Sequence, residues 1–555
     1  MFKAIFIVGA SAMALAGSSA SAVTFYYTGA VEQYLVPALG TYKVIAAGAS
    51  GGDSGRRTGG RGVVSTANFN LYAGNMDIVV GGIGEIGTGS SNYGGAGGGG
   101  GTFISRTRGG NPLVVSGGGG GASPDTNGGD GKMGSFGGDG GAGIYKGTIG
   151  GEGGYIGSGG SGGKSTVSRG TIDGGGGAGW RSDGGDVAGG GQGGRSQSFA
   201  GGAGFNRGGF GGGGGGSHIG GGGGGGFSGG GGGGGNYGGG GNSHVADGRS
   251  SFSRVLATTS DNAYASIEAL RYFALPSTVS GTLAFGAVRG GTSATRSVAI
   301  GNAAIVDPLT DKLKTSVLTL PIGLSAGSID QLAAGTSGTL DVSLQGLNPG
   351  VVSGNVDLRF VTVGASVPNY FISNTSIAVT GLVTEVARAG FAAGSNSIQL
   401  RNFNGSPLYL INLGDVVAGR TITTQISFSN LIGASNYAEL LRGTFELIGE
   451  TNTGFDVSND FSRNFDVAGG ATAVLGSLRF TAPRFGGGAY YASAASYTAS
   501  HFDGLTDTPQ VRAGYLFTAN VIAGAAVPEP AIWGLMIAGF GMTGAAMRRR
   551  TPQTA

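Results

Sequence analysis

The sequence predicts an all-β protein of several domains, on the strength of three observations. Outside the glycine tracts, apolar and polar residues alternate, as over 356–360, and this alternation is typical of half-buried strands. One strand pattern in the second half of the chain recurs at an offset of 128 residues. Of the 555 residues, 129 are glycine, and most of these lie within 51–250, where they disfavour helices. The length alone suggests roughly three or four domains.

The first 22 residues have the order of a secretory signal peptide. Lys3 precedes an apolar stretch over 4–17, and small residues follow up to Ala22. A charged, an apolar and a small-residue region in this order direct export and cleavage. We expect cleavage between Ala22 and Val23, and therefore an exported mature chain.

Residues 23–270 are predicted to form a glycine-rich domain. Its tracts, such as 211–216 and 220–226, lie among strand-like segments and contain single apolar residues that a flexible linker does not need. Glycine segments can be ordered as polyproline-II helices, with three residues per turn and room only for hydrogen between neighbours. We therefore expect a bundle of such helices on a β scaffold. The apolar residues that this bundle is expected to expose as contact points are Phe210, Ile219, Phe227 and Tyr237.

The same region resembles a known module through a series of ordered motifs. These are Val36 to Ala38 before Thr41-Tyr42, Gly48 to Gly52, Asn68 to Leu71, Ile78 to Gly81, the glycine run before Thr102-Phe103, Leu113 to Val115 before Gly117 to Gly121, and Arg207 to Phe210. They are similar to the glycine-rich extracellular domain of the anaplastic lymphoma kinase and leukocyte tyrosine kinase receptors. The resemblance implies a jelly-roll-like β module that carries the glycine bundle and, in receptors, binds protein ligands. Ser217 stands where the animal members have a cysteine, and the chain has no kinase motifs.

Residues 271–386 and 387–526 are predicted to form two Ig-like β-sandwiches. A strand, a glycine turn and a second strand that ends at an asparagine occur twice, with a spacing that fits domains of this kind. The matched pairs are Phe285 and Leu413, Val288 and Val416, Gly291 and Gly419, Val298 and Ile426, Ile300 and Phe428, and Asn302 and Asn430. The pattern also resembles the choice-of-anchor and ASPM-SPD-2-Hydin β-sandwiches of bacterial surface proteins, which implies a role as spacers or binding modules.

Residues 527–555 are predicted to be a sorting signal with a transmembrane helix over 531–547. The apolar stretch is just long enough to span a bilayer, and the arginines after it would stay on the cytoplasmic side. The marker residues are Pro528, Glu529, Pro530, Trp533, Gly539 to Gly541, Arg548, Arg549 and Arg550. They resemble the PEP-CTERM signal of Gram-negative bacteria. That resemblance implies processing by an exosortase, an inner-membrane intermediate, and delivery to the cell surface or extracellular matrix, often with exopolysaccharide and biofilm.

Composition and charge exclude several kinds of chemistry. The chain has no cysteine, so thiol chemistry and disulfides are absent. Only three histidines are available for imidazole chemistry. The net charge of +3 comes from the terminal segments: without Lys3, the three C-terminal arginines and Glu529, the 33 basic and 30 acidic residues become 29 of each. A neutral body gives no basis for binding nucleic acid.

We predict no catalytic, cofactor or metal site. Ser161 and Ser228 lie in G-x-S-x-G matches with glycine on both sides, whereas a nucleophile elbow needs a strand before the serine and a helix after it. Asp456, Asp460 and Asp466 form a loose acidic cluster, which we interpret as a solvated loop rather than a calcium site.

The sequence therefore predicts an exported surface or matrix protein with a structural, adhesive or binding role. The expected partners are an exosortase-type enzyme, the membrane before processing, and exopolysaccharide or a surface protein as ligand. Two alternatives remain open. One is a surface polysaccharide hydrolase, which would need a pair of carboxylates, and the other is a receptor-like ligand-binding protein.

Overall fold

A computed structural model shows an almost entirely β protein, as the sequence predicts. The residues that it describes are 22–88, 94–106, 110–144, 146–166, 172–258, 263–277, 281–364, 368–448, 454–508, 511–524 and 534–538. Within these ranges the chain forms thirty strands, and the only helical residues are 534–538, which are exposed. In the described part of the chain, no helix is long and apolar enough to cross a membrane.

Most of the C-terminal sorting signal lies outside the described residues. Of the predicted transmembrane helix over 531–547, only 534–538 are described. The residues that mark the signal and lie outside are Pro528, Glu529, Pro530, Arg548, Arg549 and Arg550. The predicted membrane span is therefore not supported, since most of its residues lie outside the described part of the chain.

The first domain is built on two five-stranded antiparallel sheets. Its strands are β1 (Val23–Tyr26), β2 (Val31–Val36), β3 (Gly40–Ala47), β4 (Val63–Leu71), β5 (Gly74–Val79), β6 (Thr102–Ser105), β7 (Pro112–Ser116), β8 (Thr148–Ile149), β9 (Lys164–Ser165), β10 (His244–Val245), β11 (Arg249–Leu256) and β12 (Tyr264–Tyr272). The sheets have the orders β1-β12-β3-β4-β11 and β10-β7-β6-β5-β2, and their inner faces share one apolar core. The predicted jelly roll is not supported, because consecutive strands pair as neighbours in β3-β4 and β5-β6-β7 instead of interleaving between the sheets.

The glycine tracts are the connections of these sheets. They run over 48–62, 80–101 and 117–243, and thus leave β3, β5 and β7 at one end and return to β4, β6 and β10. Along 117–121, the first and fourth glycines face 238–242, the second and fifth face 96–100, and the third faces Gly60. A repeat of three residues is that of a polyproline-II helix, so this tract is a three-sided rod with a neighbour on each side.

Backbone contacts hold the glycine rods together. The Gly118 N–H donates to the Gly225 carbonyl at 2.8 Å, and the Gly119 N–H donates to the Ala49 carbonyl at 2.9 Å. A Cβ added to Gly120 would lie 1.9 Å from the carbonyl oxygen of Gly238, which is far below van der Waals contact. Side chains are thus excluded where the rods touch, and the polar backbone groups are satisfied between rods rather than within them.

The two following domains are β-sandwiches of one topology. The strands of the first are β13 (Thr282–Arg289), β14 (Ser293–Gly301), β15 (Lys312–Thr319), β16 (Leu324–Ala326), β17 (Ile329–Leu332), β18 (Ser337–Gln345), β19 (Gly350–Val363) and β20 (Tyr370–Thr384). Those of the second are β21 (Ala389–Ala393), β22 (Ile398–Phe403), β23 (Ser406–Val417), β24 (Thr421–Asn430), β25 (Leu440–Ile448), β26 (Phe455–Val457), β27 (Asn464–Val467), β28 (Thr472–Thr481), β29 (Gly488–His501) and β30 (Val511–Ile522).

The strand orders reproduce the repeat seen in the sequence. The first sandwich has the sheets β13-β20-β19-β15-β17 and β14-β18-β16, and the second has the equivalent orders β23-β30-β29-β25-β27 and β24-β28-β26, with β22 and β21 added at the edges. In both, the first strand of the shared order pairs in parallel with the last: β13 with β20, and β23 with β30. Each sandwich encloses its own core, which in the second is rich in aromatic rings such as Phe428, Phe445 and Tyr515.

Candidate functional site at the domain junctions

The first junction joins the glycine-rich domain to the first sandwich without a linker. Strand β12 ends at Tyr272, two residues beyond the predicted domain boundary at 270. The Tyr272 N–H donates to the Leu309 carbonyl at 3.0 Å, and the Asp311 N–H donates to the Tyr272 carbonyl at 2.9 Å. The end of one domain is thus paired with the start of β15 in the next.

The second junction repeats these contacts between the two sandwiches. The Glu385 N–H donates to the Tyr437 carbonyl at 2.9 Å, and the Glu439 N–H donates to the Glu385 carbonyl at 2.9 Å. Tyr437 and Glu439 lie 128 residues after Leu309 and Asp311, which is the offset of the sequence repeat. The structure therefore places a carboxylate residue at the same point of both junctions.

The repeated asparagines stabilise the junctions. Asn302 accepts the Leu275 N–H at 3.0 Å and donates to the Leu332 carbonyl at 3.1 Å. Asn430 accepts the Arg388 N–H at 3.1 Å and donates to the Val467 carbonyl at 3.2 Å. Each buried amide therefore ties the incoming segment to the sandwich that follows it.

Glu439 is fully buried and completely engaged at the second junction. Arg289 of the preceding sandwich donates its Nε to both carboxylate oxygens, at 2.9 and 3.1 Å. The hydroxyls of Thr384 and Ser500 each donate to one oxygen at 2.5 Å. Burial raises the pKa of Glu439, but these hydrogen bonds and the Arg289 charge outweigh it and hold the pKa below its ordinary value.

Asp311 is nearly as buried but less completely engaged at the first junction. Its Oδ2 accepts the Thr362 hydroxyl at 2.9 Å, and the nearest Arg271 nitrogen lies 3.6 Å away. Arg271 also donates to the Thr41 hydroxyl at 3.3 Å and lies over the Phe273 ring. Burial therefore dominates, and the pKa of Asp311 is raised despite the Thr362 hydrogen bond and the Arg271 charge.

A cleft of about 940 Å³ opens beside Asp311, between the glycine-rich domain and the first sandwich. This volume is within the range of small-molecule sites. Besides Arg271 and Asp311, the polar side chains on its walls are Thr41, Asn68, Asn70, Ser250, Thr310, Lys312, Gln331 and Asn369. Leu270 and Tyr370 add apolar surface, and each exposes more than a third of its side chain.

The charged groups of the cleft already have partners within the protein. Arg271 faces Asp311, and the Lys312 ammonium donates to the Gln331 amide oxygen at 2.9 Å. Three asparagines and a glutamine supply the other polar groups, and an amide both donates and accepts. The amide oxygens of Gln331 and Asn70 already accept from Lys312 and Thr41, which leaves their NH₂ groups to donate to a ligand. The Tyr370 ring, 4.8 Å from the Phe273 ring, supplies a partly exposed aromatic face. This chemistry suits an uncharged ligand that is rich in hydroxyl groups.

The structure leaves the four predicted contact residues only partly exposed. Phe210 and Phe227 pack against the apolar cluster around Phe103 and Phe199, and Phe227 also stacks on His244 at 4.3 Å. All four predicted residues, Phe210, Ile219, Phe227 and Tyr237, are half-buried. The reason is steric: the large side chains cannot enter the rods, so they fill the space between the bundle and its surroundings.

Two other residues singled out in the sequence, Val23 at the predicted cleavage point and Ser228 in a rejected nucleophile motif, do not line the cleft. Val23 begins β1, so the first described strand starts at the predicted cleavage point. Ser228 is buried and its hydroxyl accepts the Gly157 N–H at 3.1 Å, which is a structural role. Within the described ranges, no group of three or more histidine, aspartate or glutamate side chains is arranged to hold a metal ion.

Sequence reasoning missed Asp311, Glu439 and their arginines. The signal that could have found them is the repeat itself: both acids lie nine residues after the matched asparagines, Asn302 and Asn430. Arg271 and Arg289 do not occupy repeat-equivalent positions, because each belongs to the domain that precedes its carboxylate.

Comparisons with known proteins do not identify a family. No protein-family model and no curated protein matches the chain. Among solved structures, a protein of unknown function from Porphyromonas gingivalis matches at 15% identity over 44% of this chain and 98% of its own, with a TM-score of 0.17. The adhesive subunit of the CFA/I fimbria of enterotoxigenic Escherichia coli matches at 12% identity over 42% and 81%, with a TM-score of 0.18. At such TM-scores these likenesses carry no argument about fold or function.

Proposed function

We propose that the protein is exported to the cell surface or extracellular matrix and there binds a neutral, hydroxyl-rich polymer such as matrix exopolysaccharide. The observation that carries this proposal is the amide-lined cleft at the first junction. Within the cleft, Arg271 faces Asp311 and the Lys312 ammonium is hydrogen-bonded to the Gln331 amide. The mature chain as a whole is neutral, so its net charge does not favour an ionic ligand. The resemblances to surface and matrix proteins noted in the sequence support the same location.

The small number of carboxylates in the cleft favours binding of a polysaccharide over its hydrolysis. Most glycosidases place two carboxyl groups on either side of the scissile bond. Among the described residues that line the cleft, Asp311 is the only carboxylate, and Arg271 and Thr362 engage it. The cleft can therefore hold a sugar chain but lacks the second group that hydrolysis would need.

Replacing the cleft amides is expected to weaken polysaccharide binding. In N68A/N70A, about 1 kcal/mol per lost hydrogen bond gives a loss of about tenfold or more in affinity. The measurement is binding of the purified full chain to dextran as a neutral polymer and alginate as an anionic one. Asn402→Ala, at an exposed position on β22, is the matched control and should bind as the wild type does. Equal binding by N68A/N70A and wild type would show that the cleft is not the ligand site.

The sorting proposal is tested separately, with a chain that ends at Ala526. We expect the full chain to pass through a membrane-attached intermediate before it reaches the surface or matrix fraction. The shortened chain should be found free in the medium or periplasm. If both chains distribute equally and no attached or processed intermediate is detected, the tail is not a sorting signal.

A further inference from the structure

Strand β22 lies at the edge of the larger sheet of the second sandwich. Among the described strands it pairs only with β23, in antiparallel register and without a register shift. The connecting turn over 404–405 has positive φ at both residues, as in a type I′ hairpin, so Phe403 and Ser406 form the hydrogen-bonded pair that closes it. Bonded and outward-facing residues alternate along such a strand. The residues that direct their N–H and C=O groups away from β23 are therefore Ile398, Leu400 and Asn402.

The side chains of β22 are exposed on both faces of the strand. Every residue from Gln399 to Phe403 is exposed, and the exposed fractions of Leu400 and Phe403 are 63% and 65%. Leu400 lies opposite Tyr409 of β23, which packs against the core of the sandwich. An exposed apolar residue that continues a core at an open sheet edge indicates a contact with another strand.

The equivalent edge of the first sandwich is closed against strand pairing. Strand β13, which corresponds to β23, has a register shift after Ala284, with Gly286 at a φ of 69°. Arg296 lies opposite the buried Val342 on β14 and donates its Nε to the Ala284 carbonyl at 3.0 Å. Bulges and inward-pointing charges are common devices against edge pairing. Strand β22 has neither, because its register is regular and its one charged residue, Arg401, lies on the face away from the core.

We propose that β22 pairs in antiparallel orientation with β22 of a second copy of this chain, about a twofold axis at Leu400. Leu400 then faces Leu400 of the second copy, Gln399 faces Arg401, and Ile398 faces Asn402. All of the outward-facing main-chain groups find partners in this register, and the same surface is used by both copies, as in most homodimers.

The alternative registers of such a dimer are less favourable. An axis at Arg401 would place the two arginines directly opposite each other, and like charges in this position are destabilising. An axis at Gln399 would leave the main chain of Asn402 beyond the end of the paired segment. An interface of one strand pair is small, so we expect a weak dimer that forms at high protein concentration.

A single introduced cysteine can report the register, because the chain has none of its own. In the proposed dimer the two Leu400 Cα atoms would lie about 5.5 Å apart, a distance that a disulfide spans. Leu400→Cys should therefore form a disulfide-linked dimer under mild oxidation. Ile398→Cys and Asn402→Cys should not, since the Cα atoms at each of these positions would lie roughly 13 Å apart. Equal linkage at all of these positions, or no linkage of Leu400→Cys, would overturn the proposal.

Leu400→Pro tests whether the main chain of β22 makes the contact. Proline removes an N–H that points away from β23, so the hydrogen bonds within one copy remain. In sedimentation of the purified full chain over a range of concentrations, this variant should dimerise about tenfold or more weakly than the wild type. Leu400→Val keeps the N–H and an apolar side chain and should dimerise as the wild type does.

A wild type that stays monomeric at every concentration, together with unlinked Leu400→Cys, would show that this edge does not pair with itself. The cysteine variants do not depend on the proline variant, so a misfolded Leu400→Pro would not leave the question open. The outcome is also independent of whether the junction cleft binds polysaccharide, because β22 and the cleft have no residue in common.

Discussion

The two domain junctions share one plan but neutralise their carboxylates to different degrees. At the second junction, Glu439 receives two bonds from Arg289 and one from each of two hydroxyls. At the first, Asp311 receives one hydroxyl, and Arg271 stays 3.6 Å away. The cleft opens beside the less completely engaged carboxylate. The carboxylate between the two sandwiches is thus fully paired, whereas the one beneath the glycine-rich domain is only partly paired and borders the proposed ligand site.

The opposite pKa shifts of the two acids follow from this difference. Both carboxylates are buried, and burial is the largest contribution for each. Only Glu439 has enough hydrogen-bond donors to outweigh the effect of burial, so only its pKa is lowered. A buried pair need not add much net stability, but removal of one partner leaves the other charge uncompensated. The junctions should therefore respond very unequally when their arginines are replaced.

The largest effect is expected for Arg289→Met. It leaves Glu439 buried with two hydroxyl donors and no cation, which costs about 3–5 kcal/mol for a buried pair. Arg271→Met should cost less, about 1–3 kcal/mol, because its pair is longer and Asp311 is more readily protonated. Denaturant unfolding of the full chain, followed at the transition that includes the sandwiches, measures both.

Arg296→Met is the control for the loss of an arginine from the same sandwich. Arg296 is exposed and donates only to main-chain carbonyls, at 3.0 and 3.3 Å, so its loss should change stability by less than about 0.5 kcal/mol. If Arg289→Met and Arg271→Met lost equal amounts of unfolding free energy, the two carboxylates would be equally dependent on their arginines. That result would contradict the difference in pairing between the two junctions.

Much of the fold could be predicted from the sequence because it depends on local periodicity. Strand alternation and the offset of 128 residues predict the second half of the chain, and the strand orders of the two sandwiches match. The three-residue period of the glycine rods follows from the sterics of glycine. The predicted jelly roll is not supported, because strand order depends on which distant segments pair, and no local pattern specifies that.

The candidate site was harder to predict, for a related reason. Asn68 and Gln331 are unremarkable residues on separate domains, and only the docking of those domains brings them to one cleft. The contact residues were chosen because single aromatic residues stand out in a glycine tract. In the folded protein, aromatic side chains are too large to enter the glycine bundle. Phe210 and Phe227 therefore fill gaps between the bundle and its surroundings.

The smallest expected effect is a pH dependence of opposite sign at the two junctions. The pKa of Glu439 is lowered from 4.5, so its contribution is present at neutral pH and is lost as the pH falls below 4.5 towards the folded-state pKa. The pKa of Asp311 is raised from 3.8, so its contribution is present below 3.8 and is lost as the pH rises through the folded-state pKa. Acid should thus weaken the second junction and strengthen the first.

Two isosteric variants separate these contributions in melting temperatures measured from pH 3 to pH 7. Glu439→Gln removes the acid-sensitive contribution, so the difference from wild type should shrink as the pH falls. Asp311→Asn should be closest to wild type at low pH, where Asp311 itself is neutral. At neutral pH it should have the higher melting temperature, because the amide carries no buried charge. Curves for the two variants that diverge from wild type in the same direction with pH would show that Asp311 is as fully paired as Glu439. In that case the cleft would be a gap between rigid domains rather than a site left open for a ligand.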